Sequence, residues 1–151
     1  MVYFREEQRF EWFWTAVWLI PVVIIGYGLY RQAVSAILLL PALAVTAVVT
    51  VWLNQSKLIT EVRTEGLWIR FVLLFPERTI AWREIRGVEA LTYRPIKDFG
   101  GWGVRWAARG IVYNARGKHG VRMVLASGER VLVGSQRAED LARAIRDRTS
   151  A

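Results

Sequence analysis

The fold class predicted for this chain is α+β. A two-helix transmembrane hairpin comes first, and a small, strongly bent antiparallel sheet closed by a C-terminal helix follows it. Three observations predict this. Two apolar runs, Trp12–Tyr30 and Val34–Leu53, are 19 and 20 residues long, and the three residues between them hold one charge, Arg31. As helices each would be about 30 Å long, the hydrocarbon thickness of a bilayer. After Asn54 the apolar periodicity changes from helical to alternating, and near the C-terminus it becomes helical again.

Taken in order, Met1–Glu11 is short, charged and aromatic, and reads as an interfacial tail. The hairpin occupies 12–53, with helices over 12–30 and 34–53. Pro21 and Pro41 fall inside these helices and are expected to kink them. Arg5 and Arg9 precede the first run and Lys57, Arg63 and Arg70 follow the second, against Arg31 alone in the turn. That bias places both termini on the cytoplasmic side. Trp12, Trp14, Tyr27, Tyr30 and Trp52 sit where interfacial aromatics belong.

Residues 54–151 form the second domain. Leu58–Thr64 reads as a strand, Glu65-Gly66 as a turn, and Leu67 to Phe75 as an alternating strand that ends at a Pro76-Glu77-Arg78 turn. Thr79–Trp82 and Ile85–Leu91 are two short strands or one bent one. Tyr93–Arg109, with one proline and three glycines before Arg105, reads as a long irregular loop. Ile111–Asn114 is a strand, and Val121–Ala126 and Glu129–Gly134 flank the hairpin turn Ser127-Gly128. Ser135 is placed to cap a helix over about 137–148, whose apolar stripe is Leu141, Ala142 and Ile145. The count is about seven antiparallel strands and one capping helix.

Composition narrows the chemistry. The chain carries a net charge of +8, and residues 1–53 contribute nothing to it, so the excess lies in the strand-rich domain. There is no cysteine and a single histidine, His119. Disulfides, thiolate metal sites and a cysteine nucleophile are therefore excluded, and no histidine or thiol partners Ser127 or Ser135. The chain reads as non-enzymatic, with no catalytic residues, cofactor or metal.

The stretch from Trp82–Leu91 (WREIRGVEAL), through Tyr93–Pro95 and Gly100–Arg105 (GGWGVR), to Gly117–Ile145 resembles small bacterial membrane proteins that carry a pleckstrin-homology-like (PH-like) domain behind a two-helix hairpin. The resemblance implies a seven-stranded PH-like barrel, a tendency to self-assemble, and no established enzymatic activity. It also implies a multi-pass protein of the bacterial cytoplasmic membrane.

Two basic constellations stand out. In the first, Gly100, Gly101 and Gly103 can expose backbone N–H groups that cradle an anion, ringed by Arg94, Lys97 and Arg105. Trp102 there either meets a headgroup or partner surface or packs over a sheet edge. The glycines equally suit a tight loop with no ligand. In the second, Arg109, Arg116, Lys118, His119 and Arg122 offer a polybasic face or a set of solvated turn charges. The expected partners are the lipid bilayer, further copies of the chain, a protein partner and an anionic phospholipid. Nucleic acid is not expected, because the aromatics are not interleaved with these cations at stacking intervals. The expected function is a membrane-anchored, cytoplasmic-face interaction and assembly module that self-associates; the alternative is a sensor of anionic lipid headgroups through the basic loops.

Overall fold

The computed structural model describes residues 1–9, 19–31, 37, 39–107 and 110–150. The chain divides into two compact units, Met1–Arg9 with Lys57–Ala151, and Phe10–Ser56.

The second of these holds two helices, α1 (Ile20–Tyr30, 11 residues) and α2 (Leu39–Gln55, 17 residues). At 1.5 Å per residue they extend about 16 Å and 25 Å. No helix among the described residues is long and apolar enough to cross a membrane. This overturns the expected transmembrane hairpin. With it go the multi-pass placement in a bacterial cytoplasmic membrane and the resemblance to hairpin-anchored PH-like proteins. The apolar runs misled because hydropathy does not mark where a helix starts. Ile20-Pro21 opens α1, and Leu39-Leu40-Pro41 opens α2. Pro21 thus occupies a first turn, where the missing N–H would have had no partner, and not the interior position expected of a kink, and Pro41 is the third described residue of α2. The first seven residues of the first run (12–18), with Trp12 and Trp14, the connection at 32 and 33, and 34–36 and 38 of the second run lie outside the described residues. Thr46 is buried and its hydroxyl donates to the Ala42 carbonyl at 2.8 Å, while Val23, Ile24, Tyr27 and Leu40 are exposed.

The other unit contains two sheets. In the first, β1 (Val2–Arg9), β2 (Lys57–Arg63), β3 (Gly66–Phe71) and β4 (Phe75–Ala81) follow one another as an antiparallel meander. The N-terminal tail is therefore a strand and not an interfacial lead-in. It pairs with β2 in the register Arg9↔Lys57 through Arg5↔Glu61 to Val2↔Arg63. Alternation then sorts its side chains. Glu6 and Gln8 face inward, and Arg5 and Glu7 join Lys57, Glu61 and Arg63 in an outer net of ion pairs that includes Lys57–Glu7 at 2.9 Å and Arg63–Glu61 at 2.7 Å. Arg63 also lies 4.0 Å over the Trp68 ring.

The expected strand from Leu67 to Phe75 stops at Phe71. Val72 N–H donates to Lys57 O at 2.8 Å and Leu74 N–H to Phe71 O at 3.1 Å, which turns the chain at Leu73, whose φ is 64°. Pro76 consequently lies in β4 and not in a turn; β4 is an edge strand, where a missing donor is tolerated.

A short 3-10 turn, Trp82–Glu84, leads into the second sheet. Its strands are β5 (Ile85–Thr92), β6 (Gly103–Ala107), β7 (Gly110–Asn114), β8 (His119–Leu125) and β9 (Arg130–Gly134), in the order β5-β8-β9-β7-β6. Among the described residues, nine strands in sheets of four and five replace the expected seven-stranded PH-like barrel. The five-stranded sheet is also not wholly antiparallel, because β7 runs parallel to β9. The segment expected as one long loop contains a helix, α3 (Pro95–Phe99), and strand β6. Helix α4 (Ala138–Thr149) closes the chain.

One face of each sheet builds the core. Leu58, Val62, Leu67, Ile69, Phe71 and Ile80 come from the first, and Tyr113, Val121, Met123, Val131 and Val133 from the second, with Leu141, Ala142 and Ile145 from α4. Burying an aliphatic side chain of this kind contributes about 1.5–3 kcal/mol. Phe75 packs edge-on to Tyr113 and Trp106, with centroids 6.2 and 5.6 Å apart, and so joins β4 to β7 and β6. Beside them Arg78 grips Glu129 through two hydrogen bonds of 2.8 and 2.7 Å. The guanidinium holds the Glu129 carboxyl below its ordinary range, and burial raises the neighbouring Tyr113 hydroxyl.

The start of α4 is tied to β1. Glu6 accepts from Ser135 Oγ at 2.5 Å, from the Gln136 N–H at 2.7 Å and from Gln8 Nε2 at 3.1 Å. Ser135, expected as the helix cap, accepts from Arg137 N–H at 3.0 Å, while Arg137 occupies the cap position itself. Arg137 reaches back to the Arg5 carbonyl at 2.8 Å and lies 4.5 Å over the Phe4 ring.

Candidate functional site

Strand alternation gives the five-stranded sheet a second face, away from the core. Cross-strand register places Glu89, Arg122, Leu132, Val112 and Arg105 in one row from β5 to β6. The neighbouring row is Gly87, Val124, Arg130, Gly110 and Ala107. Three arginines on three strands therefore share a face. Arg105 and Arg122 stand three strand spacings apart, about 14 Å. Arg130 is the diagonal neighbour of Arg122, about 7 Å away.

Part of this face is covered. Tyr93, Val112 and Leu132 form a buried cluster with Leu91 and Phe99 packed on it, and Phe99, from α3, meets the Tyr93 ring edge-on at 5.7 Å. Burial pushes the Tyr93 hydroxyl up to about 12. Against this cluster lies a cleft of about 390 Å³ with Leu91, Phe99, Val112 and Leu132 in its lining and Arg122 and Arg130 beside them. A smaller hollow of about 190 Å³ adjoins it and shares the same two arginines. Arg122 is paired with Glu89 at 2.5 Å. The Arg130 guanidinium has no carboxylate partner among the described residues.

At one end of the cleft β7 and β9 approach closely at Gly110. A Cβ on Gly110 would lie 1.7 Å from the Arg130 carbonyl oxygen, so bare backbone lines the cleft there.

The sequence-predicted residues distribute as follows. Arg94 precedes α3, is exposed, and donates its backbone N–H to Asp98 Oδ2 at 2.7 Å. Lys97 is exposed on α3. Gly100 ends that helix in the left-handed region, φ 73°. The proposed cradle is already occupied from within. Gly100 N–H donates to Ile96 O at 3.0 Å, Gly101 N–H to Pro95 O at 2.9 Å, and Gly103 N–H to Asn114 Oδ1 at 3.0 Å. The glycines close a helix and start a strand, and these three amides are not available to an anion. Trp102 is half-buried, and the Arg105 guanidinium folds back against Gly101 and Gly103. Arg116 and Lys118 are exposed in the β7–β8 turn, which is held by Tyr93 N–H donating to Lys118 O and Gln136 Nε2 to Arg116 O. Arg122 lies apart from them on β8, and Arg109 is outside the described residues.

Arg105 and Arg122 are thus brought to one face, and the turn cations are not. Arg130 and the cleft were missed. The signal for Arg130 was present: Val121–Ala126 paired with Glu129–Gly134 across Ser127-Gly128 already puts Arg130 and Leu132 on the face opposite Val131 and Val133.

At its far edge the sheet ends in β6, which among the described residues pairs only with β7. Trp106 on this strand is 73% exposed. No group of three or more His, Asp or Glu side chains able to hold a metal occurs among the described residues. No protein-family model matches the chain, and no curated protein matches it.

Proposed function

We propose that this chain is a non-enzymatic interaction module that self-associates by pairing β6 with a second copy. The observation that carries the reading is the open edge of β6 with Trp106 standing 73% exposed beside it. An edge strand presents a row of backbone donors and acceptors to any strand that can align with it, and such edges are ordinarily blunted. The other three edges carry protection. β1 bears the Arg5 and Glu7 ion pairs, β4 contains Pro76 with Glu77 and Arg78, and β5 has a register shift between Ile85 and Gly87 and packs against α4. β6 has one charge, Arg105, and an indole that Phe75 touches at one edge and water covers over most of its surface. Strand addition supplies main-chain hydrogen bonds, and Trp106 supplies apolar area that water now covers.

The alternative, recognition of anionic headgroups through the loops at 94–105 and 116–122, has less support, because the glycine amides it needs already have acceptors.

Sedimentation velocity of the full chain, with Trp106→Asp alongside, tests the proposal. The native chain should shift to dimers or larger species as concentration rises, and the variant should stay smaller at every concentration while keeping its far-ultraviolet spectrum. An unchanged size distribution in a folded Trp106→Asp protein refutes it, and assigns any association to other surfaces such as α1 and α2.

A further inference from the structure

We propose that the cleft on the outer face of the five-stranded sheet binds an organic monoanion with a compact apolar body, such as an aryl carboxylate. The apolar body would lie on Leu91, Phe99, Val112 and Leu132, and the anionic group would meet Arg130. This proposal is independent of strand pairing at β6, because Trp106 alternates to the opposite side of the sheet from Arg105, Arg122 and Arg130.

Volume, lining and charge argue for it together. At about 390 Å³ the cleft falls within the range of small-molecule sites, roughly 300–1,000 Å³, and is too small for a folded partner. Its lining is mostly apolar and includes an aromatic edge, Phe99, whose ring is already fixed against Tyr93. Sites of this composition take an apolar ligand and orient it with very few polar groups.

Charge sets the sign. Arg122 is neutralised by Glu89 at 2.5 Å, and Arg130, one diagonal step away, has no carboxylate partner among the described residues. One uncompensated guanidinium beside an apolar floor complements one negative charge, and its planar fork matches a carboxylate. A cationic ligand would meet a like charge. A small inorganic anion would leave the apolar floor unused.

Gly110, which also lines the cleft, brings no side chain to it, and a Cβ there would meet the Arg130 backbone of the neighbouring strand.

The test uses the full chain, isotopically labelled, with three probes: naphthalene-2-carboxylate, its neutral isostere naphthalene-2-carboxamide, and inorganic phosphate. The carboxylate should bind saturably and shift the amide resonances of 110–112 and 130–132. The carboxamide should bind about tenfold more weakly, the worth of one charge-assisted hydrogen bond. Phosphate should neither shift those resonances nor compete. Arg130→Gln, a change at an exposed side chain, should bring the carboxylate down to the affinity of the carboxamide, and Arg130→Lys should recover part of the difference. Leu91→Trp should reduce binding of both aromatic probes by filling the cleft. Equal affinity for the two aromatic probes, an unaffected Arg130→Gln, or shifts confined to 20–55 would each overturn the proposal. Competition by phosphate would also overturn it, because the site would then be one for anions without an apolar body.

Discussion

Glu6 is the residue whose removal should expose most directly how the sheet unit is held. Its carboxylate is 8% exposed and accepts three hydrogen bonds, from Ser135 Oγ (2.5 Å), the Gln136 N–H (2.7 Å) and Gln8 Nε2 (3.1 Å). In Glu6→Gln the amide oxygen can keep Gln136 and Gln8, and the new NH₂ faces Ser135. That hydroxyl can rotate to accept, although it already accepts from Arg137 N–H. The loss is one charge-assisted bond, about 1 kcal/mol net. In Glu6→Ala both the Gln136 N–H and the Ser135 hydroxyl lose their acceptor, while Gln8 Nε2 keeps its 2.7 Å bond to Gly134 O. Two orphaned donors at about 1–2 kcal/mol each give about 2–4 kcal/mol. For a unit of this size each kcal/mol moves the midpoint by roughly 4 °C, so alanine should lower Tm by about 8–16 °C and glutamine by about 4 °C. Calorimetry of the two variants measures this, and amide exchange at Gln136 should quicken markedly only in the alanine variant. If glutamine costs as much as alanine, charge and not donor satisfaction holds the contact. If both cost under about 0.5 kcal/mol, the connection between β1 and α4 contributes nothing.

Three further outcomes follow from the same geometry. The Glu129 carboxyl is depressed by Arg78, so its contribution is complete above the unfolded value of 4.5 and is lost as pH falls through the lower folded one. Because both side chains are about a third exposed, the pair should contribute only about 0.5–1 kcal/mol. Urea unfolding should show Glu129→Gln weaker than native at pH 7, with the gap shrinking as pH falls below 4.5, and a gap independent of pH would contradict this. Gly110→Ala should destabilise by more than about 3 kcal/mol in a denaturant melt, because its Cβ would fall 1.7 Å from a backbone oxygen that cannot turn aside. Finally, Arg9 and Lys57 are opposite partners in the ladder, so replacing 10–56 with Asn-Gly should give a folded hairpin-closed unit, whereas 57–151 alone, without β1, should unfold or aggregate. Dispersed amide spectra from 57–151 alone would show that β1 is dispensable.

Local signals explain what could be read in advance. The β8–β9 hairpin follows from Ser127-Gly128 between alternating runs, and α4 from Leu141, Ala142 and Ile145 at helical spacing. Both depend on neighbours within a few residues. Strand β1 depends on a partner some fifty residues away, and nothing in VYFREEQR distinguishes an edge strand from a tail until Lys57–Arg63 is laid beside it. The parallel pairing of β7 with β9 joins segments that β8 separates, which alternation alone does not indicate. Runs of valine, leucine and isoleucine report hydropathy, not helix length, so the apolar runs 12–30 and 34–53 extend beyond the described extents of α1 and α2. At the site, the arginines were visible as charges, but which of them share a face is a matter of register. Sequence alone therefore does not separate Arg105 and Arg122 from the turn cations, nor join Arg130 to them.

The way the chain leaves and re-enters its sheet unit has a mechanical consequence. Residues 9 and 57 are the two halves of the terminal rung of the β1–β2 ladder, and residues 10–56 are strung between them. A load that spreads those two points is carried by the terminal rung first and then by each rung in turn, never by all together. Resistance to such peeling is that of one rung at a time, far below that of the same ladder sheared lengthwise. Three rungs in, the parting strands reach Glu6, and from there the strain passes to Ser135 and Gln136 at the head of the closing helix.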